Sequence, residues 1–210
     1  MDLGQFLKFF EMALSCFEEH LNELSRLDSA LGDGDHGTSM LKGFKCISAA
    51  IADKPAGSIS DLLAAAGRTL MREIGGSCGP LFAMIFIQGA QVAKGRSEMH
   101  TADLARMFSE SGAKIMALGR SARGDKTMLD ALLPAADVLE QCAETGVETV
   151  QALNKAAEAA MNGAKATEGM LATKGRGRYQ GENSLGHMDP GAMSVALIVR
   201  TLAQAASAAE

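Results

Sequence analysis

The stretch from residue 4 to residue 37, GQFLKFFEMALSCFEEHLNELSRLDSALGDGDHG, decides the fold class. Phe6, Phe9, Phe10, Ala13, Leu14, Phe17, Leu21 and Leu24 recur at three- and four-residue spacing, which predicts one amphipathic helix over 4–27. That helix runs into the glycine-rich segment 27–37. Gly32, Gly34 and Gly37 spell G-x-G-x-x-G there, the phosphate turn of a dinucleotide-binding sheet, and Asp53 even lies at about the ribose-binding distance. The turn needs a strand before it, and here a long helix precedes it. A Ca²⁺ loop also fails, because its twelfth position counted from Asp33 is Phe44 rather than a bidentate Glu. The segment is therefore an acidic connection between helices.

The rest of the chain agrees. Helical patterns follow at 38–51, 61–73, 80–94, 102–118, 127–143, 147–171 and 190–208, and no alternating strand pattern interrupts them. Thr145 with Glu148 fits a capping box, and Asp189 before Pro190 fits an N-cap followed by proline at the first helical position. Pro80 reads as another proline at the first helical position. Aromatics make up only 4% of a chain that is 47% hydrophobic, so Ala, Leu, Met and Ile supply the apolar mass, and the first three of these favour helix. Nothing divides the chain. The expectation is an all-α, single-domain bundle of eight antiparallel helices over 1–210, with function placed in the loops at one end.

A net charge of −5 excludes an extended nucleic-acid face. There is no basic n-region at the start and no run of about 18 apolar residues, so neither a signal peptide nor a membrane span is expected. Cys16, Cys46, Cys78 and Cys142 are too scattered for a zinc site and read as reduced thiols in a cytoplasmic protein.

Four connections concentrate glycine with polar groups: 28–37, 75–79, 119–127 and 174–191. In the first, Asp28, Asp33 and Asp35 offer hard oxygen ligands at a density suited to Mg²⁺, against the plainer reading of a solvated turn. The second, Gly75-Gly76-Ser77-Cys78-Gly79-Pro80, opens into a helix and suits an anion at its N-terminus, or else a simple turn. Gly186-His187-Met188-Asp189-Pro190-Gly191 repeats the design, preceded by Lys174, Arg176 and Arg178, a small cluster suited to a diphosphate or to solvent. Gly119 to Thr127 nearly spells a P-loop, but Asp125 is inserted before Lys126 and no strand precedes it. Lys126 is left between a phosphate contact and a helix-start role. Cys78 reads as passive rather than reactive, His20 and His100 as structural or solvated, and Met40, Met71, Met84 and Met116 as core filling.

LDSALGDGDHG, GGSCGPLF, GDKTMLDAL and KGRGRYQGENSLGHMDPGA together resemble, in order and over nearly the whole chain, the signature segments of dihydroxyacetone kinase L subunits and of the C-terminal domain of single-chain dihydroxyacetone kinases. The resemblance implies an eight-helix antiparallel barrel with ADP or ATP at one end. It implies two Mg²⁺ ions on Asp28, Asp33 and Asp35. Nucleotide contacts would come from His36, Gly37, Thr38, Ser39, Ser77 and Cys78, with Gly119 and Met128 on the adenine side. Arg176 would meet the diphosphate, and Asp189, Pro190 and Gly191 would close the pocket. The catalytic set would be Asp28, Asp33, Asp35 and Arg176. The ketose would sit on a separate dihydroxyacetone-binding K subunit, and a phosphohistidine M subunit would recharge the nucleotide in the phosphotransferase-system branch. An ATP-dependent subunit acting on dihydroxyacetone or erythrulose, and a non-catalytic nucleotide-loaded regulator, remain alternatives. A homodimer is compatible with all three. Ser39, Cys78, Arg178, Gln180 and Asn183 depart from the family's usual residues.

Overall fold

The first helix begins where the Asp2 side chain accepts a hydrogen bond from the backbone N–H of Gln5 at 2.8 Å and the Gln5 side-chain oxygen accepts one from the backbone N–H of Asp2 at 3.0 Å, a reciprocal cap. The computed structural model describes residues 1–208, so the last two positions of the expected 1–210 domain lie outside the described residues. Among the described residues there are nine α-helices: α1 Leu3–Glu19, α2 Leu21–Leu31, α3 His36–Asp53, α4 Ile59–Glu73, α5 Cys78–Val92, α6 Thr101–Gly119, α7 Leu129–Glu144, α8 Thr149–Ala166 and α9 Pro190–Ser207. Two short 3-10 segments, Thr167–Gly169 and Gly177–Ser184, cross between α8 and α9. The only strand-type pairing among the described residues is a lone bridge between Asp2 and Glu98. The all-α reading holds.

The ninth helix arises because the expected 4–27 helix breaks at His20. The His20 ring Nδ1 lies 2.9 Å from the Cys16 carbonyl and competes for a backbone acceptor in the last turn. The second half then runs on to Leu31, which puts Asp28 on the final turn of α2 instead of in the loop. The expected capping box at Thr145 is absent. Thr145 ends α7 instead, its hydroxyl donating to the Gln141 carbonyl at 2.8 Å, and Glu148 precedes α8 without a side-chain cap bond. Pro80 is the third residue of α5 and not the first, because the helix already starts at Cys78; it stays within the first turn, where its missing N–H has no helical use. Asp189 does cap α9, accepting from Ala192 at 2.7 Å with Pro190 next in line.

α9 is the most deeply packed element. Val195, Ala196, Leu197, Val199 and Ala205 are fully enclosed, and Arg200 is its one charged residue. It touches α1, α8, α7, α2 and α3. Each helix from α3 onward packs on the next, α9 returns to α1, and α1 packs on α3, so the contacts run round in a ring. One continuous apolar core joins residues of all nine helices, with Phe9, Phe10 and Phe86 clustered and Phe17 stacked on Phe44 at 4.5 Å between centroids. The four cysteines are free thiols. No helix among the described residues is long and apolar enough to cross a membrane.

Alternation along the chain brings the starts of α3, α5 and α9 to the same end, with Met128 ahead of α7 beside them. Each start contributes about half a positive charge from its unpaired backbone N–H groups. One end of the molecule thus carries several electropositive backbone termini.

Candidate functional site

The acidic turn is built by the junction of α2 and α3. Asp28 accepts from the backbone N–H of His36 at 3.2 Å, which ties the last turn of α2 to the first of α3. Gly34, at φ 78°, makes the left-handed turn between them that a side chain would strain. Asp35 precedes α3 without capping it, so its carboxylate stays free while its carbonyl accepts from Thr38 at 2.8 Å. As a result, Asp28, Asp33 and Asp35 each offer an oxygen within 4.8 Å of the others. Three carboxylates so close repel one another, and a hard divalent cation relieves that repulsion. The donor set fits Mg²⁺. Here Arg176 from the 174–191 connection supplies a counter-charge by pairing with Asp33.

The cleft beside this turn has a volume of 670 Å³, a size common for small-molecule sites. Of the expected residues, Asp28, Asp33, Asp35, His36, Ser39, Ser77, Cys78, Gly119, Met128, Arg176, Asp189, Pro190 and Gly191 line it. Gly37 and Thr38 are not among its lining residues. A Cβ at Gly37 would collide with the Leu21 carbonyl, so this glycine serves the close approach of α3 to α2. Thr38 is exposed and bonds back to Asp35.

Burial keeps two titratable groups of the cleft wall, His36 and Cys78, uncharged at pH 7. The His36 ring is buried, with Nε2 2.8 Å from Ser194 Oγ and Nδ1 3.9 Å from Cys78 Sγ. Burial lowers its pKa to about 4, against the opposing pull of Asp28 and the Pro190 carbonyl, so the ring is neutral at pH 7. Burial pushes the Cys78 thiol up to about 12, reinforced by Asp35, Asp189 and Asp28. A protonated thiol leaves the positive start of α5 intact, and the passive reading of Cys78 stands. Burial also raises Asp189 to about 7, with Asp130 and Asp28 adding to it and the Ala192 N–H and Lys126 opposing.

Lys126 lies in the turn ahead of α7 and lines the cleft. Its backbone turns left-handed at φ 60°, and its buried ammonium donates to the carbonyls of Thr167 and His187. It braces the two connections that frame the cleft, and burial lowers its pKa. Asp130 braces the same loop, accepting from Gly124 and, at 2.8 Å, from Thr127.

Sequence reasoning missed the apolar wall of Leu81, Ile115 and Leu118. A signal existed for part of it. On α6 the buried stripe Leu104, Phe108, Ser111, Ile115 continues at helical spacing to Leu118, which is 59% exposed. The stripe runs one turn past the core and into the cleft.

A family model for the DAK2 domain matches residues 30–204. The chain is 39% identical over 193 residues to the PEP-dependent dihydroxyacetone kinase, ADP-binding subunit DhaL, of Escherichia coli (strain K12), covering 90% of each. Its structure is similar to the dihydroxyacetone kinase of C. freundii in the native form, with a TM-score of 0.72 and 26% identity over 93% of this chain. The same kinase in complex with AMP-PNP and Mg²⁺ matches with a TM-score of 0.72 and 25% identity over 97% of this chain. This chain spans only about a third of that kinase's length (33% and 34%). By the extent of the family match and by the near end-to-end similarity to the E. coli subunit, the chain belongs to the DAK2 domain family.

Proposed function

We propose that this chain is the nucleotide-binding subunit of a phosphoenolpyruvate-dependent dihydroxyacetone kinase. The observation that carries the reading is the cleft itself: a carboxylate trio within 4.8 Å and several helix starts line one 670 Å³ space. The similarity to an ADP-binding subunit over 90% of both chains supports it.

In this reading Asp28, Asp33 and Asp35 hold two Mg²⁺ ions, and the metal supplies charge neutralisation to the nucleotide phosphates when bound. Backbone N–H groups at the starts of α3, α5 and α9 point donors at phosphate oxygens, with Ser39, Ser77 and the neutral Cys78 beside them. Arg176 leaves Asp33 and turns its planar fork to the phosphoryl groups. Leu81, Ile115, Leu118 and Met128 receive the base, next to Gly119. Phosphoryl transfer asks for this kind of positioning more than for a protein nucleophile. Gly37 and Thr38 support the turn from behind. The whole of 1–210 acts as one domain, and the four free thiols suit a reducing cytoplasm. A K-type partner presents dihydroxyacetone at the cleft mouth, and a phosphohistidine M-type partner recharges the nucleotide in place.

The test is to purify the chain without added nucleotide, denature it and identify what is released by chromatography. ADP in equal amount to protein is the expected result. A protein that emerges empty and takes up Mg-ATP reversibly would move the chain to the ATP-dependent branch, and one that binds neither nucleotide would end the reading.

A further inference from the structure

On the flank of the molecule, α8 and α9 enclose a second groove of 830 Å³, lined by Asn154, Ala157, Glu158, Met161, Asn162 and Arg200. It shares no residue with the cleft. Arg200 is an unusual presence on a helix otherwise given to the core. Its Nε is the only buried side-chain nitrogen or oxygen among the described residues with no hydrogen-bond partner. Its Nη2 reaches the His20 Nε2 at 3.4 Å and the Cys16 Sγ at 3.7 Å, neither of them a carboxylate. Since His20 Nδ1 sits 2.9 Å from the Cys16 carbonyl, it carries the ring proton there, and Nε2 is left to accept from Arg200. Glu158 lines the same groove but forms no ion pair with Arg200.

Arg200 is only partly buried, but with one enclosed N–H unmet and no carboxylate paired to it, its guanidinium has charge and donors left for a ligand. Its planar donors match the paired oxygens of a carboxylate or phosphoryl group. We infer that this groove is a second ligand site, in which Arg200 clamps the oxyanion of a small molecule between the Asn154 and Asn162 amides. Ala157 and Met161 provide an apolar strip for the body that carries the anion. Glu158 is the internal competitor: its exposed carboxylate disfavours weak anions and selects ligands that hold Arg200 at two points. The site is independent of the nucleotide reading. Through His20 it joins the break between α1 and α2, the helix whose last turn carries Asp28.

The test is an NMR titration of the ¹⁵N-labelled full chain with inorganic phosphate in one arm and acetate in the other. The readouts are the Arg200 Nε–H signal, assigned by its loss in Arg200→Lys, and the side-chain amides of Asn154 and Asn162. The expected result is a saturable shift of these signals in at least one arm, absent in Arg200→Lys and several-fold tighter in Glu158→Gln. Response to phosphate alone would define a phosphoryl site, and response to acetate a carboxylate site. No saturable change in either arm would overturn the inference. So would a Glu158→Gln variant that melts earlier and binds no more tightly, since Glu158 would then be the true partner of Arg200. That variant keeps the test decisive even if Arg200→Lys fails to fold.

Discussion

His36 shows how one ring links the cleft to stability. The unfolded chain protonates it near its ordinary 6.5, whereas burial holds the folded value at about 4. Between those values the unfolded state binds more protons, so stability is full above about pH 6.5 and falls as the pH drops toward 4. For the metal-free protein, denaturant melts at pH 7 and pH 5 should differ by up to about 2 kcal/mol from this group, at roughly 1.4 kcal/mol per pH unit. His36→Asn should flatten that part of the profile, and an unchanged slope would mean the ring is solvated. Arg176 gives a second single-residue expectation. Its pairing with Asp33 occupies a carboxylate of the proposed metal site, and both side chains are half-exposed, so the pair is worth roughly 0.5–1 kcal/mol. In calorimetry without nucleotide, Arg176→Ala should therefore bind Mg²⁺ roughly two- to fivefold more tightly, and it should bind Mg-nucleotide more weakly. A loss of both would remove Arg176 as a placeholder for the metal.

At the scale of helices and turns, much was legible because it is local. The Asp-Pro start of α9, the Gly-Gly-Ser-Cys turn and the acidic loop announce themselves in residues that are neighbours in sequence. What stayed hidden depends on distant backbone atoms. Lys126 is held by the carbonyls of Thr167 and His187, which no side-chain pattern reports. Gly37 answers to the Leu21 carbonyl, and the break at His20 rests on one ring finding the Cys16 carbonyl. The contact between α7 and α8 is of the same kind. Pro134 lacks the N–H that would have bonded the Asp130 carbonyl. Gly163 of α8 packs directly on that oxygen, where a Cβ would collide with it. Gly163→Ala should cost about 1–3 kcal/mol in thermal or denaturant unfolding, the usual penalty for overpacking against atoms that cannot move aside. Wild-type stability in that variant would show that the two helices can part at little cost.

For the whole molecule, the all-α class was legible from periodicity alone, while the order in which helices pack was not, since contacts such as α1 with α9 join the two ends of the chain. A single core through all nine helices implies that ligand energy at the cleft is felt by the entire fold. Mg²⁺ with nucleotide at about one hundred times its dissociation constant should stabilise the protein by about 2.7 kcal/mol, and the melting temperature should rise accordingly. A chelator should abolish the rise, and a rise that survives chelation would take the carboxylate trio out of nucleotide binding. The hydrogen bond of 3.1 Å from the Gln5 side chain to the Ala206 carbonyl has a further consequence, one of tethering. Gln5 and Ala206 lie side by side at the far end of the 18-residue α9, whose other end opens into the cleft. That helix is about 27 Å long. A substrate-holding protein joined by peptide to either end would therefore need about eight extended residues of linker merely to travel back along the molecule, whereas a separate subunit can meet the cleft head-on.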